Sequence, residues 1–516
     1  MGQENQTSSN KRIAKNALML YIRMFLTMIV GLYTSRVVLA TLGVEDYGIY
    51  GVVGGVVAMM GFLNASMSGA TSRFLTFELG RGDRQRLADT FSSALIVHIG
   101  IALVVFVLAE TVGLWFLCNK LVIPDGRMEA AHWVYQCSIL SAMLSITQAP
   151  YNASIIAHEK MDVYAYVEIL NVSLKLLIVY LLVIGNFDKL MLYAVLHLAV
   201  GVTIMLIYRI YCIRRFPETH FRLIWNKSIL RPLLSFSSWD LYGNMAWSVR
   251  QQGANFILNM FYGPAINAAS SIASTVQGVL MGFCTNVITA YKPPIIKRYA
   301  VCDYSGMNRL IFLGAKIAII LLLLFTIPIL IKTKLILSLW LGSVPVGAVF
   351  MTKISLIMNL FSCFNGFLLI GIHASGKVAT TGLICGTMYL LSLPMMYGLL
   401  LYGLTYRECY ILFVIITALF CIMNLLILKH HIRQFELTKF IFNTVFPMVF
   451  VTVTSYFITK YIGKLMDIGD TFGGLSLVTL ISWIVILITS YTFALTKIER
   501  QTITHKVSSW FHLKTK

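Results

Sequence analysis

The sequence predicts an all-α polytopic membrane protein. About fourteen transmembrane helices are expected, as two parallel six-helix lobes around a central cavity plus two C-terminal helices. Three observations lead there. Hydrophobic residues make up 58% of the chain and charged residues 12%, with a mean hydropathy of +0.79, far from a soluble balance. Fourteen apolar stretches run almost back to back, each near the roughly 20 residues that cross a bilayer at about 1.5 Å per residue. Two segments also repeat at a fixed offset, the one that carries Gly43 onto Gly263.

The spans are placed near 14–41, 47–71, 88–117, 128–150, 163–185, 190–212, 233–261, 265–291, 307–331, 348–371, 377–402, 408–428, 440–460 and 473–495. Their connections, roughly 5–25 residues by this placement, leave no soluble domain large enough for an independent active site. The N-terminus, MGQENQTSSNKRIAKN, is polar and then basic. The apolar run after Ile13 is longer than a signal h-region and lacks a small-residue cleavage pattern, so it is expected to stay as the first span. Nine cysteines are scattered without a CxxC pair and read as small apolar fillers.

With the N-terminus placed in the cytoplasm, the inner connections and termini carry 27 Lys and Arg residues and the outer ones 8. The positive-inside rule then puts both termini in the cytoplasm, as an even number of spans requires. The net charge of +20 becomes largely a property of that face. Basic loops facing anionic headgroups account for it, and no nucleic-acid partner is expected.

The repeat joins Leu42-Gly43, before VEDYGIYGVVGGVV, to Tyr262-Gly263, before PAINAASSIASTVQGV. Asp83, in RGDRQRL, and Asp303, in VCDYSGMNRL, follow their glycines at the same distance. Six spans with loops fill the offset, and six is even, so both copies enter the membrane from the same side. The expected organisation is an N-lobe over 1–215, a cytoplasmic inter-lobe linker over 216–232, a C-lobe over 233–428, and two spans with a basic cytoplasmic tail over 429–516. Two such lobes suit alternating access around a central cavity.

Six basic residues remain inside or at the ends of spans: Arg23, Arg36, Lys175, Arg250, Lys316 and Lys353; the acids there are Glu110, Glu168 and Asp240. A charge at mid-bilayer costs about 2.5–3.5 kcal/mol on insertion scales, so it is expected to face a cavity or a partner. Arg36, Lys353 and Glu110 lie near span ends and can reach the interface. Arg23, Lys175, Arg250 and Asp240 lie deeper and point to a central site; Lys316 fits either reading. Glu168 and Lys175 share one helix face but stand ~10 Å apart along it. The seventh span carries Asp240, Asn244, Arg250 and Asn255 among many polar residues and cannot face lipid all round.

Four such cations (Arg23, Lys175, Arg250, Lys316) against two acids (Glu168, Asp240) favour an anion such as phosphate, which an Arg fork grips with two hydrogen bonds. Asn and Gln on the same helix offer the donors and acceptors that sugar hydroxyls need. No zinc, nucleotide or Ser-His-Asp pattern occurs, and without a Walker motif ATP is not the direct energy source. The chain is therefore not expected to be an enzyme, and neither a metal nor an organic cofactor is expected. Glu45-Asp46 superficially suggests the acidic pair of a membrane glycosyltransferase or polymerase, but reads as a polar turn in a loop of about five residues.

Several phrases resemble a known family. SRVVLATLGVEDYGIYGVVGGVV (35–57), SMSGATSRFLTFELGRGD (66–83), FYGPAINAASSIA (261–273), PPIIKRYAVCD (293–303), LWLGSVP (339–345) and HASGK (373–377) are similar to bacterial polysaccharide repeat-unit flippases. These belong to the multidrug/oligosaccharidyl-lipid/polysaccharide exporter superfamily. The resemblance covers most of 10–430; the last two spans match only in position and hydrophobicity. It implies transfer of undecaprenyl-diphosphate-linked oligosaccharides from the inner to the outer leaflet of the bacterial cytoplasmic (inner) membrane, for O-antigen, capsule or exopolysaccharide. Polysaccharide polymerase machinery is then an expected partner, beside the membrane lipids. In family terms Arg23, Arg36, Arg73 and Arg250 are headgroup contacts; Arg36 and Arg73 sit in matching motifs, Arg23 and Arg250 rest on depth. With Lys175, Lys316, Asn244 and Asn255 they form the expected substrate-binding set. The resemblance also implies coupling to H⁺ or Na⁺, with Asp240 and Glu168 as the acids. The alternatives are a cation-coupled drug antiporter of the same superfamily, which would want an acidic cavity, and a membrane glycosyltransferase.

Overall fold

The computed structural model describes residues 15–30, isolated positions between 33 and 53, and 61–119, 123, 126–182, 187–224, 226–341, 344–496 and 499–501. The described residues contain no strand. We number the helices α1 (15–30), α2 (Gly61–Arg81), α3 (Arg84–Asn119), α4 (Met128–Ala157), α5 (Met161–Leu181), α6 (Lys189–Arg215) and α7 (Lys227–Ala300). There follow α8 (Tyr304–Ile331), α9 (Thr333–Leu341), α10 (Ala348–Ser375), α11 (Ala379–Leu401), α12 (Tyr406–His431), α13 (Leu437–Leu465) and α14 (Phe472–Ala494).

Among the described residues ten helices, counting the second arm of α7 once, are long and apolar enough to cross a membrane. Of the expected spans, α2, α4 and the first arm of α7 fall short by composition because they carry the polar residues. The long run α7 doubles back on itself. The Ser270 hydroxyl donates to Asn255 Oδ1 at 3.0 Å, although fifteen residues of straight helix would separate them by about 22 Å.

The helix boundaries carry the repeat. α3 and α8 start at Arg84 and Tyr304, α4 and α10 at Met128 and Ala348, and α5 and α11 end at Leu181 and Leu401. Each pair keeps the offset that joins Gly43 to Gly263. Asp83 caps α3 by accepting from the Arg86 N–H at 2.9 Å, and Asp303 caps α8 by accepting from the Gly306 N–H at 2.8 Å. Such a cap satisfies one of the orphan donors at a helix start. The residue before each cap is left-handed, Gly82 at φ 78° and Cys302 at φ 59°.

The chain forms two compact units, one of Met1–Met245 with Ile296–Cys302, the other of Ala246–Ile295 with Asp303–Lys516. In the first, Phe91, Tyr151, Ile155 and Tyr208 centre one buried cluster and Val134, Tyr135 and Ile139 another. A π-turn at Ala109–Gly113 interrupts α3, and the Tyr135 hydroxyl donates to the Ala109 carbonyl at 2.6 Å. A Cβ on Gly113 would collide with that hydroxyl, so glycine there admits the tyrosine. In the second unit Leu258, Ala269, Met351 and Phe413 lie in the core. A wholly buried polar chain crosses it. Asn424 donates to Asn365 Oδ1 at 2.8 Å and accepts from Thr381 at 2.9 Å, as polar groups must in a solvent without water.

At the connections of the first unit that flank α4 and α6, Arg127 bridges Asp46 and Asp188, reaching Asp46 Oδ1 at 2.8 Å and Asp188 Oδ2 at 2.5 Å. Asp46 is thus engaged in a structural ion pair. Burial raises the Asp188 carboxyl, but the Met191 N–H and Arg127 outweigh it and hold it below its ordinary value.

Candidate functional site

In the second unit Arg250 is the deepest cation of the polar seventh span. Its residue is 8% exposed, and Nε makes no hydrogen bond to a described residue. The guanidinium lies 4.3 Å from the centroid of Phe413 and 5.5 Å from that of Tyr389. Cation–π attraction of this kind is worth about 2 kcal/mol or more when desolvated, less than the cost of removing the charge from water. Among the described residues no carboxylate pairs with Arg250. Its charge is held in place by aromatic faces. Beside it runs a hydrogen-bonded line in which the Tyr410 hydroxyl donates to Ser270 at 2.9 Å and Ser270 to Asn255.

The first unit holds a second group. Arg73, 6% exposed, lies over Phe74 at 4.5 Å and Phe77 at 4.8 Å, with Tyr299 and Glu78 close by. Seven residues earlier on α2, Ser66 accepts from Asn244 Nδ2 at 3.2 Å, and the same amide donates to Asp240 Oδ2 at 3.1 Å. Asp240 also faces Gly69. Asp240, Asn244 and α2 therefore meet, whereas Asp240 and Arg250 belong to different units.

Arg23 lies over the Tyr164 ring at 4.8 Å, one turn from Glu168, which accepts from Asn171 at 3.1 Å. Lys175 is half-buried near His197, which stacks on Tyr193 with centroids 6.0 Å apart. Glu168 and Lys175 make no ion pair with each other, in keeping with their spacing. Lys316 is placed differently from the other expected cations. It is 1% exposed, and its ammonium is bonded to Glu499 Oε2 at 2.9 Å. Glu499 also accepts from the Thr496 N–H at 2.7 Å, so the pair ties α8 to the start of the C-terminal segment. Arg36 lies outside the described residues.

The comparisons with known proteins come down on one family. The model for polysaccharide biosynthesis proteins matches residues 13–297, more than half of the chain. The chain belongs to this family. No curated protein matches it. Among solved structures, a point mutant of a MATE protein superposes with a TM-score of 0.71 at 14% identity, covering 84% of this chain and 97% of the other. An outward-facing multidrug resistance MATE transporter of the MOP superfamily gives 0.70 at 15% identity, covering 83% and 97%. A MOP superfamily transporter from Pyrococcus furiosus, described by the reverse polarity of its binding pocket, gives 0.69 at 15%, covering 84% and 97%. Likeness at this identity establishes the fold: a multi-pass, all-helical membrane architecture shared with MOP-superfamily transporters.

For this member of the polysaccharide biosynthesis family, sequence reading reached the cations and missed what holds them. Phe74 and Phe77, one and four residues after Arg73, were visible as helical neighbours. Tyr389 and Phe413 come from α11 and α12, far along the chain from Arg250 on α7, and no local pattern links them. Arg209 sits on α6 and donates to Thr147 Oγ1 at 2.9 Å over the Tyr151 ring. The placement of Glu499 opposite Lys316 had no signal at all.

Proposed function

We propose that this protein moves undecaprenyl-diphosphate-linked oligosaccharide repeat units from the inner to the outer leaflet of a bacterial cytoplasmic membrane, by alternating access, for surface polysaccharide assembly. Arg250 carries the reading. A buried guanidinium with no acid beside it among the described residues is a standing site for an anion, and a planar fork suits a diphosphate. Arg23 and Arg73 in the other unit, each held on aromatic faces, are of the same sign. Asn244, Asn255 and Ser270 offer sugar-binding amides and hydroxyls, and the polyprenyl tail needs no protein site because it can stay in lipid. The excess of basic residues on alternate connections supports cytoplasmic termini. Asp240 and Glu168 are the acids offered for H⁺ or Na⁺ coupling. Lys316, closed off by Glu499, is assigned here to the scaffold.

The test is reconstitution in vesicles with a labelled lipid-linked oligosaccharide. Loss of one charge-assisted contact, about 1.5–3 kcal/mol, predicts that Arg250→Ala slows headgroup transfer by about ten- to a hundredfold, with Arg250→Lys intermediate and both proteins folded. Asp240→Asn should change the ion dependence. Undiminished transfer by Arg250→Ala removes the reading.

A further inference from the structure

We propose that a groove between α3 and the first two turns of α7 is a binding site for one anionic glycerophospholipid of the leaflet that faces the basic loops. The groove, of about 690 Å³, lies within the first unit and is lined by Ile96, Gly100 and Val104 from α3 and by Leu230 and Leu234 from α7. Lys227 and Arg231, one helical turn apart on α7, line the same groove. Both are exposed, and neither has an ion pair or hydrogen bond to a described residue. Ile99, Leu103 and Val107 beside the groove are 40%, 54% and 56% exposed, as side chains that face acyl chains are.

The internal repeat indicates what such a row of α3 needs. Carried across by the offset that joins Gly43 to Gly263, Ile96, Gly100 and Val104 become Lys316, Ile320 and Leu324 of α8. That row is covered by the chain itself: Lys316 is bonded to Glu499, and the Trp483 indole N–H donates to the Leu324 carbonyl at 2.8 Å. Among the described residues the first unit has no counterpart of α14, so its row is left to the bilayer. From Ile96 to Val104 the helix rises about 12 Å, close to the ~15 Å hydrocarbon depth of one leaflet. An acyl chain fits that length, whereas a polyprenyl carrier is several times longer. Two cations beside an apolar slot select a lipid with net negative charge. The site is separate from Arg250 and does not depend on the cargo.

A built Cβ on Gly100 meets nothing within 4 Å, so a side chain there would fill the groove without displacing protein. The experiment is native mass spectrometry of the full-length protein in detergent, titrated with phosphatidylglycerol and, separately, with phosphatidylcholine of the same chains. The first phosphatidylglycerol should bind at least tenfold more tightly than phosphatidylcholine. Lys227→Gln and Arg231→Gln should each weaken it about fivefold, and Gly100→Leu should weaken it comparably with both cations intact. Equal affinity for the two lipids overturns the proposal. So does a Gly100→Leu protein that binds as the parent does, since the cations would then act only as surface charge. Displacement of phosphatidylglycerol by equimolar undecaprenyl phosphate assigns the groove to the carrier, and a dimer that Gly100→Leu dissociates assigns it to a second chain; either result overturns it too.

Discussion

Residues 82–83 and 302–303 solve one problem twice with different side chains. In both places a left-handed residue turns the chain and an aspartate caps the next helix. The first copy uses Gly82, which adopts that conformation freely; the second uses Cys302, which adopts it against its Cβ. The intramembrane cations behave in the opposite way. At the repeat offset Arg250 answers to Val30, Arg23 to Gly243, and Lys316 to Ile96. Turns and helix lengths are shared by the two halves, and charges are not. The repeat keeps turns and helix lengths, and the proposed cargo contacts Arg23 and Arg250 lie among its departures.

The comparison can be broken in four ways, from the largest effect down. Glu499→Gln leaves the Lys316 ammonium buried alone and should cost about 3 kcal/mol, read as a lowered unfolding midpoint of the purified protein. The double variant Lys316→Met with Glu499→Gln should recover most of that and still transport; loss of transport in the stable double variant would return Lys316 to the cargo site. Gly314→Ala, whose new methyl would collide with Phe367 and sit 2.9 Å from Tyr291, should cost about 1–3 kcal/mol. Gly100→Ala, in the open groove, should instead gain up to about 1 kcal/mol of helix propensity. At the matched turns, Cys302→Gly should stabilise and Gly82→Ala destabilise by roughly 1 kcal/mol each; thermal unfolding of the pair decides whether the turns are equivalent.

The smallest effect is one of pH. Because the Asp188 carboxyl is held below its ordinary value, it adds stability above its unfolded pKa, about 3.9. That contribution is lost as pH falls through the lower folded value. Asp188→Asn should therefore flatten the acid side of the stability profile below about pH 4 and leave the neutral region little changed. The carboxylate is partly exposed, so the change is modest.

Much of this fold was legible in the sequence because bilayer thickness dictates helix length, and apolar runs report it directly. The aspartates at 83 and 303 were legible as a spacing, and the structure gives that spacing a cause in helix capping. Depth along a span singled out Arg250 correctly as a buried charge. It left Lys316 open between the two readings, because what decides it is a partner, Glu499, far away in the chain. Glu499 fell in a stretch read as basic tail, and nothing near it in the chain points to Lys316. The short helix α9 lay in a stretch read as a connection, too brief for its periodicity to register.

The path of α7 through both units has a practical result. Ile296–Cys302 sit in the first unit, where Lys297 donates to the buried Glu159 at 2.8 Å and Gly80 closes to 3.0 Å, measured from its built Cβ, on Ala300. A protease cut between Phe216 and Asn226 would thus leave two fragments clasped at both ends of α7, through 227–245 against α2 and through 296–302. They should elute together from a sizing column, and loosening either clasp alone should not part them.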